Sequence, residues 1–243
     1  MNERRTAVAV GGLYILGTVS GVASVILAGF GFGGPDPFAR IADLGLRVQA
    51  GALAILTMGL ALAFVPILLY PILKRESETW AIGYVVFRGA LETVTYILIT
   101  ACWIVLAGLA PQIVRAGEAG GAGLRAAGEA VLRAAEAVRM MTVFTFSLGA
   151  LILYGSFLRS RIVPRWISVW GLVAILLHLA TVFLDLFGGN GLSSKAPPWI
   201  HFPIFLQEMV MAVWMIVKGF RAPGPAEPGH GEVSARTESG LQS

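Results

Sequence analysis

The stretch TWAIGYVVFRGALETVTYILITACWIVLAGLA, residues 79–110, decides the fold. About 20 predominantly apolar residues in a helix cross the hydrocarbon layer of a bilayer, and this run is longer than that. It nevertheless carries Arg88 and Glu92. A charged side chain at membrane depth costs on the order of 3 kcal/mol even on the most lenient insertion scale, so such groups are normally paired and turned inward. Their spacing, i and i+4, puts both on one helix face within reach of each other.

Composition extends the membrane reading to the rest of the chain. Of 243 residues, 56% are hydrophobic and only 13% charged, against about 25% charged in soluble domains. Mean hydropathy is +0.77 and the isoelectric point about 9.6. The basic residues stand beside apolar runs, where retention of Lys and Arg on the cytoplasmic side accounts for them. The expected partner is therefore the lipid bilayer and not nucleic acid. The single cysteine, Cys102, lies inside an apolar run, so no intramolecular disulfide forms and the thiol reads as packed core.

Six apolar segments are predicted to span the membrane, at about residues 6–29, 45–73, 80–109, 140–158, 165–187 and 199–220. The first follows a charged MNERR start like that of a secretory signal, but it exceeds the 7 to 15 apolar residues typical of one and reads as an uncleaved span. Gly17, Gly21 and Ser24, with Ser20 and Ala28 alongside, give it a small-residue stripe for close helix approach. FGFGGPDPFARIAD, residues 30–43, reads as a loop holding a short interfacial helix over 37–44. In the second span, Arg47 anchors at the headgroups, and Pro66 and Pro71 are expected to kink or end the helix. Residues 111–139 are rich in Gly and Ala. Arg125, Glu129, Arg133 and Glu136 recur there at helical spacing, predicting an amphipathic extramembrane or interfacial helix before the fourth span. No proline interrupts 122–163, which permits that helix to run into the span. RSRIVPRW, residues 159–166, is a basic turn with Pro164 placed to start the fifth helix. Residues 222–243, rich in Pro, Gly and Glu, are expected to be disordered.

The fold class is thus an all-α membrane protein of six transmembrane helices with both termini on one side. Arg4, Arg5, Lys74, Arg75, Arg159, Arg161, Arg165, Lys218 and Arg221 face that side, which the positive-inside rule makes the cytoplasm. Counting about 1.5 Å per residue from the cytoplasmic end places Arg88 at roughly 12 Å, Glu92 at roughly 18 Å, Glu208 at roughly 17 Å and His178 at roughly 20 Å in a layer about 30 Å thick. Four ionisable groups from the third, fifth and sixth spans share one slab, and Thr93, Tyr96, Ser147, Tyr154 and Gln207 are at hand to complete their hydrogen bonds.

Three readings of that polar set stand side by side. An arginine between carboxylates satisfies buried charge and fixes helix register, a structural role. Alternatively a carboxylate and His178 exchange protons or hold an ion during transport; FRGALE at 87–92 and FLQE at 205–208 place a glutamate alike in the third helix of each half, as inverted repeats would. In the third reading the set is the site of an intramembrane enzyme acting on a lipid-like substrate, with a glutamate as general base or a His/Glu/Glu metal set. HExxH, GxSxG, paired-glutamate protease and glycine-rich phosphate signatures are all lacking, so neither metal nor cofactor is expected, and His201 and His230 read as incidental. A small-molecule or lipid-like ligand fits the second and third readings; catalytic residues and oligomeric state stay open.

The ordered segments RTAVAVGGLYILGTVSGV (5–22), GYVVFRGALE (83–92), YGSFLRSRIVPRWISVWGL (154–172) and LQEMVMAVWMIVKGF (206–220) together resemble the bacterial domain-of-unknown-function 4386 family. The resemblance covers most of residues 5–221. It implies a compact multi-pass protein of the bacterial inner membrane and carries no activity with it.

Overall fold

The computed structural model describes residues 2–29, 32, 34–187 and 198–221; the segment 222–243, expected to be disordered, lies outside them. Helix α1 (Glu3–Ala28) starts where the Asn2 side chain accepts the Arg4 N–H at 3.2 Å. Helix α2 (Pro37–Leu44) is capped by Asp36, whose Oδ1 accepts the N–H groups of Phe38 and Ala39, each at 3.2 Å. Helix α3 (Leu46–Leu73) is followed by α4 (Glu78–Tyr84), which passes into a π-helical segment, Val85–Leu91, and on into α5 (Glu92–Gly120). Then come α6 (Ala122–Ser160), α7 (Arg165–Phe187), a 3-10 turn (Pro198–His201) and α8 (Phe202–Lys218).

Among the described residues no strand occurs, and five helical stretches are long and apolar enough to cross a membrane: Glu3–Ala28, Leu46–Leu73, Glu78–Gly117, Ala122–Ser160 and Arg165–Leu184. Helix α8 has 17 residues, about 26 Å of rise. The bundle is apolar on its surface as well as in its core. Large apolar side chains face outward, with Leu16, Val19, Val22 and Ile26 on α1 and Leu53, Leu60, Phe64 and Ile67 on α3 exposed. Inside, a largely apolar core that includes Val65, Leu69, Leu153 and Phe157 encloses a smaller polar set, among it Arg88, Glu92, Ser147, Gln207 and Thr181. An apolar surface of this extent suits a lipid bilayer.

Small residues set the helix contacts. Gly17 and Gly21 of α1 admit Leu62 and Met58 of α3, which come within 2.9 and 2.8 Å of where a Cβ would stand. At the other end of the pair, Gly51 of α3 meets Ala28 and the Ser24 carbonyl. Arg47 donates from Nη2 to the Ile26 carbonyl at 3.1 Å, capping the end of α1.

Helix α3 runs through Pro66 and Pro71 and ends at Leu73, the limit expected of the second span. One boundary differs from the sequence reading. The third span continues past 109, through Pro111, to a break at Gly117, where φ is +62°. Side chains supply extra bonds there: Gln112 Nε2 donates to the Gly108 carbonyl at 3.0 Å and Arg115 Nε to the Pro111 carbonyl at 3.1 Å. The helix expected before the fourth span runs into it, as the proline-free stretch permits, and the two form a single 39-residue α6. Both α5 and α6 are therefore longer than a bilayer core requires, and α2 packs across their adjoining ends. Phe38 fills the space left by Gly128, beside Ile113, and Arg125 pairs with Asp36 at 3.7 Å while lying over the Phe38 ring.

At the opposite end the basic residues gather. Arg75 pairs with Glu3, Arg4 Nη1 donates to the Met215 carbonyl at 3.2 Å, Arg159 lies over Trp80, and the Arg221 N–H donates to the Ile162 carbonyl at 2.9 Å. The first turn of α1 and the last of α8 thus meet at one end of the bundle.

Candidate functional site

The site is built on the π-helical segment. There the Glu92 N–H donates to the Phe87 carbonyl, five residues back, so the turn holds one residue more than an α-helical turn would. Two glycines let neighbours close on it. A Cβ at Gly89 would stand 3.2 Å from Pro66 of α3, and one at Gly149 of α6 would stand 3.0 Å from Arg88 Cβ and 3.2 Å from its backbone nitrogen. Arg88 is thereby fixed between α3 and α6 and aimed at α8.

Its guanidinium joins two carboxylates. Nη1 donates to both oxygens of Glu92, each at 3.0 Å, and Nη2 donates to Glu208 Oε1 at 3.1 Å. The Tyr96 hydroxyl donates to Glu92 Oε1 at 3.1 Å, so both Glu92 oxygens have partners in a side chain wholly removed from solvent. Aromatic rings cover the remaining faces: Arg88 Cζ lies 4.4 Å from the Phe146 ring centre and 5.9 Å from that of Tyr14. The Tyr14 hydroxyl is 3.3 Å from that of Tyr84.

The other polar residues divide. Tyr154 OH donates to Gln207 Oε1 at 2.6 Å, and Gln207 Nε2 donates to the Ile167 carbonyl at 3.0 Å, a buried bridge across α6, α7 and α8 separate from the arginine. Thr93 donates to the Gly89 carbonyl in the π-helical segment and Ser147 to the Val143 carbonyl of its own helix. His178 is not bonded to the carboxylates; its Nδ1 lies 2.8 Å from Nδ1 of His201, so one ring donates to the other, and its face is edged by Phe146. His201, which reads as incidental in the sequence, is thus part of the same neighbourhood. No spacing signal announces it, because the two histidines stand 23 positions apart. Among the described residues no three His, Cys, Asp or Glu side chains are grouped to hold a metal ion.

A cavity of about 570 Å³ reaches this polar set from the flank of the bundle. Arg88, Glu208, His178, His201 and Tyr96 lie in its wall, and Glu92 does not. Val22, Ile26 and Phe205, also in the wall, are among the exposed residues, so the cavity opens between α1 and α8 onto the apolar surface. A second cavity of about 280 Å³ shares Gly21, Val25, Met58, Tyr96, Thr142 and Val143 with the first and runs along α6 to Arg139 and Glu136, themselves paired at 2.9 Å. Together they form one groove between α1 and α6, apolar along its length and polar at each end.

These features define an all-helical protein of multi-pass membrane character with a polar cluster in the wall of a lateral groove. The profile of a family described as a domain of unknown function, DUF4386, matches residues 9–219, and the chain belongs to that family. No curated protein and no solved structure matches the chain.

Proposed function

We propose that the protein is a six-span protein of the bacterial inner membrane, with both termini in the cytoplasm, that takes an amphiphilic molecule from the bilayer into its lateral groove and carries it, in the manner of a small transporter. The observation that carries this reading is the cavity of about 570 Å³ ending on Arg88 and Glu208, a volume within the range of ligand sites. The sidedness rests on the basic residues gathered where α1 begins and α8 ends. On this reading α8 is the sixth span, and the adjoining ends of α5 and α6 with α2 form a cap on the far side.

The Arg88, Glu92 and Glu208 set then has two duties. It holds α5 and α8 in register, and through Glu208 it presents a polar end to the ligand. His178 and His201 in the same wall favour a second reading, an intramembrane enzyme acting on a lipid-like substrate, because an imidazole pair beside a carboxylate can relay a proton.

The test compares amphiphiles that copurify with the wild-type protein and with Val143→Trp, which fills the groove shared by both cavities. Loss of a defined amphiphile from the variant, unchanged in structure, supports carriage; its replacement in wild type by a chemically altered form favours the enzyme. Identical copurifying molecules in both proteins would refute a ligand in the groove.

A further inference from the structure

The groove's inner end carries unequal charge. One guanidinium serves two carboxylates, and in their ionised forms Arg88, Glu92 and Glu208 sum to a single negative charge. The distribution is uneven too. Glu92 is enclosed and holds both of its oxygens against Arg88, one of them also against Tyr96. Glu208 lies in the cavity wall, keeps 16% of its side chain exposed and accepts from Arg88 through Oε1. Arg88 itself faces the cavity beneath the Phe146 ring, with Nη1 held by Glu92 and one Nη2 N–H held by Glu208.

With both glutamates ionised, a ligand entering from lipid meets one carboxylate more than the arginine offsets, at an effective dielectric where charge acts more strongly than in water. Phe205 and Tyr96 stand in the same wall, while Phe146 already covers Arg88, and aromatic faces favour cations over anions. The histidines, bonded to each other through Nδ1, add a polar surface. Beyond this end the lining is aliphatic, from Leu62 and Met58 to Val25 and Ile26.

We infer that the ligand is a cationic amphiphile, an alkylamine or alkylammonium compound, with its charged head against Glu208 and its chain along the groove between α1 and α6. This inference rests on the reading that the groove binds a ligand, and it adds the class of head group.

The experiment uses the full chain in nanodiscs of zwitterionic lipid with three photoreactive probes of one alkyl chain, bearing a trimethylammonium, a hydroxyl or a carboxylate head. Cross-linked residues are mapped by mass spectrometry. The expected result is labelling of α1, α6 and α8 segments lining the groove by the ammonium probe, at concentrations about tenfold or more below those the carboxylate probe needs. Glu208→Gln should abolish that preference while the hydroxyl probe still labels the groove. The wild-type comparison stands without the variant, should Glu208→Gln fold poorly. Equal or stronger labelling by the carboxylate probe overturns the cationic head group and leaves groove binding intact. Absence of groove labelling by all three probes overturns both.

Discussion

Arg88 of the π-helical segment and Glu208 of α8, 120 positions apart, are joined by a hydrogen bond of 3.1 Å from Nη2 to Oε1. Because Nη1 is held by Glu92, removing the arginine strands two carboxylates in an apolar interior. Arg88→Met is expected to lower unfolding free energy in detergent by about 3 to 5 kcal/mol, whereas the triple replacement of Arg88, Glu92 and Glu208 by Met should recover most of the loss. Equal losses in the single and triple variants would mean that the charges do not depend on one another.

The close approach of α6 to this segment gives a steric prediction. Gly149→Ala places a methyl group 3.0 Å from Arg88 Cβ and should cost about 1 to 3 kcal/mol. Gly108→Ala, with nothing within 4 Å of the new carbon, should be neutral or slightly stabilising. Thermal unfolding of both variants provides the comparison.

The buried bridge of Tyr154 and Gln207 is expected to behave as an unequal pair. Tyr154→Phe leaves Gln207 Oε1 without its donor and should cost about 1 to 3 kcal/mol. Adding Gln207→Leu should return part of that, because the unpaired amide oxygen is then gone, the rest of the loss being the donor to the Ile167 carbonyl. A double-mutant cycle measures the coupling.

Ser168 offers the opposite case. Its hydroxyl is buried and has no hydrogen-bond partner among the described residues, so Ser168→Ala should raise stability by about 1 kcal/mol through loss of an unsatisfied group. A drop in the unfolding midpoint of Ser168→Ala would show that the hydroxyl has a partner after all.

Much of the fold is written in the sequence because lipid imposes a simple rule: long apolar runs must be helices. Helix length is less legible. The run through Pro111 to Gly117 depends on tertiary support from α2, where Phe38 packs beside Ile113, and on side-chain bonds to carbonyls that local propensity does not report. Residue counting puts Arg88, Glu92, Glu208 and His178 in one slab but says nothing about rotation around each helix. The π-helical turn changes that rotation without any sequence mark. His201 is illegible for a similar reason, since its approach to His178 depends on how α7 and α8 lie together. The groove has no sequence signature either, because it is the space that α1 and α6 leave between them.

Reactivity at position 143 tests the lateral groove most directly. In a Cys102→Ala background, Val143→Cys lies in the wall of both cavities, Met141→Cys marks the exposed face of α6, and Leu153→Cys marks the closed core. A lipid-soluble thiol reagent applied to membranes should label positions 143 and 141 and leave 153 unmodified, and an alkylammonium compound should slow labelling at 143 alone. Labelling at 141 with none at 143 would contradict an opening from the bilayer to Arg88 and Glu208.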